Sequence, residues 1–264
     1  NDGEWQSMRL GQQYIAFKTI LIKEILRFMR IWLQTVVPAA VTMGLYFIIF
    51  GNLIGSQLSD VAGFSYMDYI VPGIILMAII NNAYANVVSS FYMSKFAHFI
   101  EEMLVSPMPN YLILVGYLAG GVARGLLVGA VVTVVALFFT PLQVYNAWVL
   151  IAVVLLTAIL FSLGGFINAI FAKTFDDISI IPTFVLTPLT YLGGIFYSID
   201  MLPEFWQKVS LINPILYMIN AMRYGMLGVS DIEIGKAFAI IVLFVVGLFA
   251  YALYLLRRGV DIRN

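Results

Sequence analysis

An arginine inside a long apolar segment has the strongest potential for chemistry in this sequence. Arg124 lies in the middle of the segment 110–140, whose other residues are uncharged. Because an ionised side chain is costly in hydrocarbon, Arg124 is expected to face protein or water. Two interpretations are open. Arg124 contacts an anionic substrate or lines a pathway, or it is structural and bonds backbone carbonyls or an acid such as Asp176 or Asp177.

Amide side chains occupy the middle of a second apolar segment, 68–94. Asn82 and Asn86 are one helical turn apart and share one face of a helix. Buried amides need hydrogen-bond partners, so these two either bond neighbouring helices or line a wet cavity. Together with Arg124, and with Tyr191 on a segment rich in proline and glycine, they are the candidate pathway residues.

The familiar enzyme motifs do not occur in the sequence. Its Gly–Lys pair, Gly235–Lys236, lacks the following Ser or Thr and the upstream glycine of a phosphate-binding P-loop. Neither H-E-x-x-H nor G-x-S-x-G is present, there is no cysteine, and His98 is the single histidine. We therefore expect no catalytic residue, no cofactor and no metal ion on this chain, and an intramembrane enzyme is disfavoured.

Composition places these residues in a membrane. Of the 264 residues, 62% are hydrophobic and 11% are charged, and the mean hydropathy is +0.98. Soluble domains carry roughly 25% charged residues, so a chain this apolar needs lipid as its solvent. The formal net charge of zero does not suggest a nucleic-acid partner.

Six segments reach the length of roughly 20 apolar residues that crosses a bilayer. They are 32–55, 68–94, 110–140, 147–172, 178–197 and 234–256. Basic residues before the first and after the last place both termini in the cytoplasm, which requires an even number of spans. We predict an all-α polytopic membrane protein with six transmembrane helices in one domain, 32–258, and a kinked fifth helix.

Residues 8–31 are predicted to form an amphipathic helix in the inner interface. Its basic side would lie along anionic membrane lipids, and simple anchoring by positive charge is the alternative. The apolar face holds Tyr14, Phe17, Leu21, Ile25, Phe28 and Trp32, with Lys18 among them, and the opposite face holds Lys23, Glu24, Arg27 and Arg30. Residues 1–7, ahead of Met8, are expected to be a leftover of cloning, and 259–264 a cytoplasmic tail.

Between the fifth and sixth spans, residues 198–231 are predicted to form an outer-face insertion. Pro203 and Pro214 each suit the first turn of a helix. They predict two short helices, 203–211 and 214–227, the second of which enters the membrane again without spanning it.

Arg223 lies in the second of these short helices and has two interpretations. It locks an outer cap through several acceptors, either carbonyls at the ends of half-helices or Glu204 and Asp200. Alternatively, it extends to the headgroup level as a simple anchor.

The loop 95–110 is predicted to contain a short helix that ends before Pro107, because the residue before proline avoids the α region. Glu101 and Glu102 would form an acidic tip, and Met103 and Leu104 an apolar side. From spacing alone, an ordinary solvated loop is the simpler interpretation.

Two stretches resemble ABC-2 type permeases over about 22–258 of the chain. EEMLVSP, ending at Pro107, resembles the cytoplasmic coupling segment of that family, with Met103 where Leu is common. NPILYMINAMR resembles its C-terminal signature, with Pro214, Tyr217 and Arg223 at the expected spacing.

This resemblance implies the membrane subunit of an ABC exporter in the inner (plasma) membrane. It implies a homodimer with two separate ATPase subunits, which would bind ATP and magnesium. The ATPase coupling residues would be Glu101, Glu102, Met103, Leu104 and Pro107, and Tyr217 and Arg223 would belong to an outer cap. The alternative is an ATP-independent secondary carrier or channel, and no substrate is predicted.

Overall fold

The computed structural model describes residues 8–259, and this range is helical in most of its length. The expectations for 1–7 and for the tail beyond residue 259 lie outside the described residues. The helices are α1 (Leu10–Arg30), α2 (Trp32–Gln57), α3 (Tyr66–Phe96), α4 (Phe99–Val105), α5 (Asn110–Leu137), α6 (Ala147–Phe171), α7 (177–191), α8 (Glu204–Ser210), α9 (Pro214–Leu227) and α10 (Ile234–Arg258).

Five of the described helices are long and apolar enough to cross a membrane, which confirms an all-α, multi-pass membrane protein. They are α2, α3, α5, α6 and α10. The predicted span 178–197 is helical only as far as Tyr191, and its middle, Pro182–Leu186, is a π-helix. As a result α7 is about 22 Å long, short of the hydrocarbon thickness of about 30 Å. The count of six spans stays a prediction.

Helix α3 is the centre of the bundle. In its most apolar stretch 89% of the residues are buried in protein, against 17% for α2 and 22% for α10. Helices α5 and α6 pack along α3, and α9 contacts both α3 and α6. Lipid therefore reaches the outer helices, while the polar groups of α3 must find partners inside the protein.

Glycines allow α5 and α6 to approach the backbone of α3. A Cβ added at Gly165 on α6 would lie 2.5 Å from the carbonyl oxygen of Tyr84. A Cβ added at Gly121 on α5 would lie 2.3 Å from the Ser162 hydroxyl and 3.1 Å from the Ala83 carbonyl. Small residues of this kind are the usual means of close helix approach in membranes.

Helix α1 runs parallel to α5 and packs against it. Gly116 faces Ile20 and Gly120 faces Glu24, so both helices advance by four residues between the two contacts. The prediction that Glu24 faces the lipid headgroups is wrong, because this side chain is fully buried. Gly120 leaves room for it, and the Ser90 hydroxyl donates a hydrogen bond of 2.6 Å to its carboxylate.

The two short helices predicted after the fifth segment are confirmed as α8 and α9. The Asn213 side chain accepts a hydrogen bond from the Ile215 N–H and caps the start of α9. Gly228 ends the helix in the left-handed conformation, with φ 77°, which glycine adopts without strain. The re-entry of α9 into the membrane stays a prediction.

We expect Gly165→Ala to destabilise the bundle, because the added Cβ meets backbone atoms that cannot rotate away. Overpacking of this kind costs about 1–3 kcal/mol, and the thermal midpoint of the purified protein in detergent should fall by several degrees. Gly247→Ala in α10 is the matched control, since nothing lies within 4 Å of its added Cβ. Equal losses in the two variants would contradict the close approach of α6 and α3.

Candidate functional site

The first candidate site is the short helix α4, which confirms the helix predicted in the loop 95–110. It begins after His98, which has a left-handed φ of 59°, and ends at Val105, because the backbone of Ser106 is extended ahead of Pro107. Ile100 is buried and anchors the helix to the core. The chain therefore turns sharply at both ends of α4 and holds it against the end of α3.

The exposed face of α4 differs from the predicted apolar side. Met103 and Leu104 are half-buried and pack against the protein's own core. Phe99 and Val105 are the exposed apolar residues, at 55% and 74%, and Glu102 lies between them in the sequence and is also exposed.

The two predicted tip acids have different surroundings. A carboxylate oxygen of Glu101 lies 3.0 Å from the Nδ1 of His98, within the same turn. Within the described residues, Glu102 has no hydrogen bond or ion pair. The exposed surface of Phe96, Phe99, Glu102, Val105 and Phe175, which we name the knob patch, thus presents one unpaired acid among apolar side chains.

Aromatic stacking continues the knob patch towards α7. The rings of Phe96 and Phe175 lie 5.2 Å apart, and Tyr92 contacts both. The Tyr92 hydroxyl donates a hydrogen bond of 3.0 Å to the carbonyl of Lys173. The end of α3 and the turn before α7 are therefore held together beside α4.

The second candidate site is the pair of amides on α3, each of which binds an arginine. Asn82 Oδ1 accepts hydrogen bonds from the Nε and Nη2 of Arg124 on α5, at 3.3 and 3.1 Å. Asn86 accepts from the Nη2 of Arg27 on α1 through its side-chain oxygen, at 2.8 Å, and its carbonyl, at 2.9 Å. The amides thus join three helices, and sequence reasoning missed Arg27 because it was assigned to the headgroup face.

The acid partner suggested for Arg124 is wrong. The carboxylate of Asp177 instead accepts hydrogen bonds of 2.9 Å from the backbone N–H groups of Lys173 and Thr174. These bonds favour the ionised form and lower the pKa of Asp177 below its ordinary value. Asp177 therefore closes the turn before α7, and a neutral amide holds Arg124.

Tyr191 lies apart from the other three candidate pathway residues. Its hydroxyl is 3.0 Å from that of Tyr46 on α2, and it is 45% exposed. Hydroxyl side chains recur on α7 at every fourth residue before it, and all of them are exposed: Ser179, Thr183 and Thr187. Sequence reasoning missed this hydroxyl stripe, although the four-residue spacing was a readable signal.

The third candidate site surrounds Arg223 on α9, whose side chain is 1% exposed. Its Nη2 donates hydrogen bonds to the carbonyls of Gly194 and Ile195, at 2.7 and 3.4 Å. Its Nε donates to the carbonyl of Tyr69, at 3.4 Å, and the guanidinium lies 3.8 Å from the centre of the Tyr69 ring.

These contacts decide between the interpretations of Arg223. The predicted carbonyl acceptors are confirmed, while Glu204 and Asp200 do not bond it. The simple headgroup anchor is wrong, because the side chain is buried. Tyr217 closes the same region by donating a hydrogen bond of 2.6 Å to the carbonyl of Leu211.

Comparison with known proteins gives a consistent result. The family model for "ABC-2 type transporter" matches residues 15–227. The chain is 58% identical over 252 residues to "Inner membrane transport permease YadH" of Escherichia coli K12, covering 95% of this chain and 98% of that protein. It is 24% identical over 252 residues to "Nodulation protein J" of Rhizobium meliloti strain 1021, covering 94% and 90%.

We expect Arg223→Lys to destabilise the protein almost as much as Arg223→Ala. An ammonium lacks the planar fork that reaches two separate carbonyl groups, and carbonyls left unpaired in a buried site cost about 1–3 kcal/mol each. Thermal unfolding of the purified variants measures this loss, and Arg30→Lys, at an exposed arginine, is the control. Full tolerance of lysine at position 223 would rule out the multidentate role.

Proposed function

This chain belongs to the ABC-2 type transporter family, and on that premise we propose that it is the membrane subunit of an ATP-driven exporter. It is a transport permease of the inner membrane. In the proposed complex two copies form the translocation pathway, and two separate ATPase subunits bind ATP and magnesium.

The knob patch is the observation that supports an ATPase partner. Helix α4 follows the end of α3 and lies next to Lys95, beyond the apolar part of the bundle. Exposed apolar residues around a charge are typical of protein contacts at a surface in water. On this proposal the outward-facing Phe99, Glu102 and Val105 make the contact, while Met103 and Leu104 fix α4 to its own protomer.

Movement of α4 would reach the rest of the bundle through α3. Only Ala97 and His98 separate the two helices, and Ile100 is buried in the core. Asn82 and Asn86 on α3 hold the arginines of α5 and α1. A push on α4 would thus act on three helices together.

The pathway is proposed to lie along α7, between two copies of the chain. The hydroxyl stripe of α7 is exposed, and the hydroxyls of Ser179 and Thr187 donate to the carbonyls of Asp176 and Pro182. We propose that this small, polar face meets the pathway and a second copy. Tyr191 and Tyr46 stand at the end of this stripe. In the same proposal Asn82, Asn86 and Arg124 line the pathway deeper in the bundle.

Tyr217 and Arg223 are proposed to form a rigid outer cap of the pathway. The backbone carbonyls of Gly194 and Ile195 come free where α7 has ended, and Arg223 bonds them. The cap would fix the non-helical segment that follows α7, so that movement occurs in α7 and not in α9.

Topology follows from the charge distribution, and single cysteines can report it in this cysteine-free chain. We expect a membrane-impermeant maleimide to label a cysteine at position 203 from the outer side of intact spheroplasts. A cysteine at position 105 should react only in inverted vesicles. Labelling of position 203 from the inner side would overturn the arrangement with both termini inside.

Coupling can be tested with Glu102→Lys, which inverts the one unpaired acid of the knob patch. Reversing a charge at a partly desolvated contact can cost a few kcal/mol, so binding of the ATPase should weaken by at least about tenfold. The measurement is copurification with the chain of an ATPase that carries Walker motifs, together with transport-linked ATP hydrolysis.

Glu204→Lys, at an exposed acid on α8, is the matched control for that experiment. It makes the same change of charge in the predicted outer-face insertion, away from α4, and should leave the ATPase bound. Normal association and normal coupling in Glu102→Lys would refute the assignment of α4 as the coupling helix.

A further inference from the structure

An apolar pocket of about 270 Å³, which we name the α9 pocket, lies between α5, α6 and α9. It is near the ends of α5 and α6 that the connecting segment joins, because Thr133 lies one turn before the end of α5 and Ile151 one turn after the start of α6. Residues 142–144 of this connection also line it. Met222 and Met226 of α9 form its deepest wall, since each is only 5% exposed.

The walls of the α9 pocket are held together by backbone contacts. The N–H of Tyr145, in the connection, donates hydrogen bonds of 3.0 and 3.2 Å to the carbonyls of Gly225 and Met226. The N–H of Asn146 donates a third, of 2.9 Å, to the Gly225 carbonyl. Gly225 also lets α9 approach α6, because an added Cβ would lie 2.8 Å from the Leu150 side chain. The pocket therefore has its shape before any ligand enters, as small-molecule sites usually do.

The lining of the α9 pocket favours hydrocarbon over water. All of its side chains are apolar except those of Thr133 and Gln143. The Thr133 hydroxyl donates to the Gly129 carbonyl of its own helix, at 2.7 Å, and Gln143 is exposed at the protein surface. A buried water needs about two to four polar partners, which the deep part of the pocket does not offer. An apolar cavity of about 150 Å³ already binds benzene, so the α9 pocket has room for a longer hydrocarbon.

The mouth of the α9 pocket opens on a surface that lipid contacts. Val144 and Ile151 line the pocket and are exposed, and Trp148 beside them is exposed as well. Ile151 and Trp148 belong to α6, one of the helices long and apolar enough to cross a membrane, so acyl chains are the medium around them. The lining includes no residue of α7, and the proposed contact with a second copy thus lies elsewhere.

We propose that the α9 pocket binds one acyl chain of a membrane phospholipid as a resident ligand. The chain enters between Val144 and Ile151 and completes the packing of Met222 and Met226. Methionine side chains are flexible and polarisable, which suits a ligand whose conformation varies. The bound lipid is a structural ligand of α9, and its binding is independent of the transported substrate and of the ATPase.

Photolabelling of the full-length chain in lipid nanodiscs tests this site. The probe is a phosphatidylcholine with a diazirine at the end of one acyl chain, mixed into unlabelled phosphatidylcholine. After irradiation, peptide mass spectrometry should find adducts on Met222 or Met226, which a chain that stays on the protein surface does not reach. Adducts on the exposed Leu243 of α10 measure contact with bulk lipid in the same sample. Labelling of Leu243 without either methionine would refute the site.

A variant at the mouth shows whether the chain enters there. Ile151→Trp enlarges an exposed side chain and should block entry without overpacking the core, so the methionine adducts should be lost while those on Leu243 persist. Leu155→Trp is the matched control, because Leu155 is an exposed residue of the same helix outside the lining, and it should label like the native chain. Equal methionine labelling in native and Ile151→Trp protein would overturn the proposed entry and the site with it.

Two other occupants of the pocket have distinct signatures. Labelling of Met222 or Met226 by a water-soluble diazirine would show that the pocket is wet. A disulfide between two copies that carry a single cysteine at position 151 would show that a second copy covers the mouth. Either result contradicts the acyl-chain assignment, and the absence of both supports it.

Discussion

Hydrocarbon offers no hydrogen-bond partner, and that constraint governs where the polar residues of this permease lie. Two cations show how it is met. Arg223 bonds carbonyls freed by the break after α7, and the Lys95 ammonium bonds the carbonyls of Ile170 and Ala172 at the end of α6. Lys95 places positive charge at the C-terminal end of α6, where helical carbonyls lack intrahelical partners and the helix dipole favours a cation. Arg223 instead bonds carbonyls of the non-helical segment that follows α7.

The same constraint makes α3 the element that connects the sites. It is surrounded by protein, and its 31 residues run without interruption in helical conformation, with Pro72 inside. Tyr69 near one end contacts Arg223, Asn82 in the middle holds Arg124, and Tyr92 near the other end lies beside the knob patch. A buried, close-packed helix moves as a body, so a change at one end is expressed along its whole length. This is a physical connection through one rigid element.

Sequence patterns predicted the helices whose length, start or end is determined by residues close by in the sequence. Continuous apolar runs gave the long spans, and the prolines at 107, 203 and 214 marked the ends and starts of α4, α8 and α9, because a proline ring restricts its own backbone and that of its neighbour. Burial set by tertiary packing was not predictable in this way. In the sequence, Glu24 belongs to the polar face of α1. The structure buries its side chain, because Gly120 of α5 leaves room for it. The partner of Arg124 was likewise misjudged, since charge alone suggested an acid while geometry supplied an amide.

Helix α7 differs from the long, regular helix α3. Its first turn contacts α3 and α6, a π-helix occupies its middle, and Leu186 is buried in the core. Proline at positions 182 and 188 removes two backbone donors, so fewer hydrogen bonds hold its shape than hold α3. A helix with fewer backbone hydrogen bonds changes its shape at lower free-energy cost. The helix that carries the exposed hydroxyl stripe is thus less regular than α3, and the cause is the local chemistry of its two prolines.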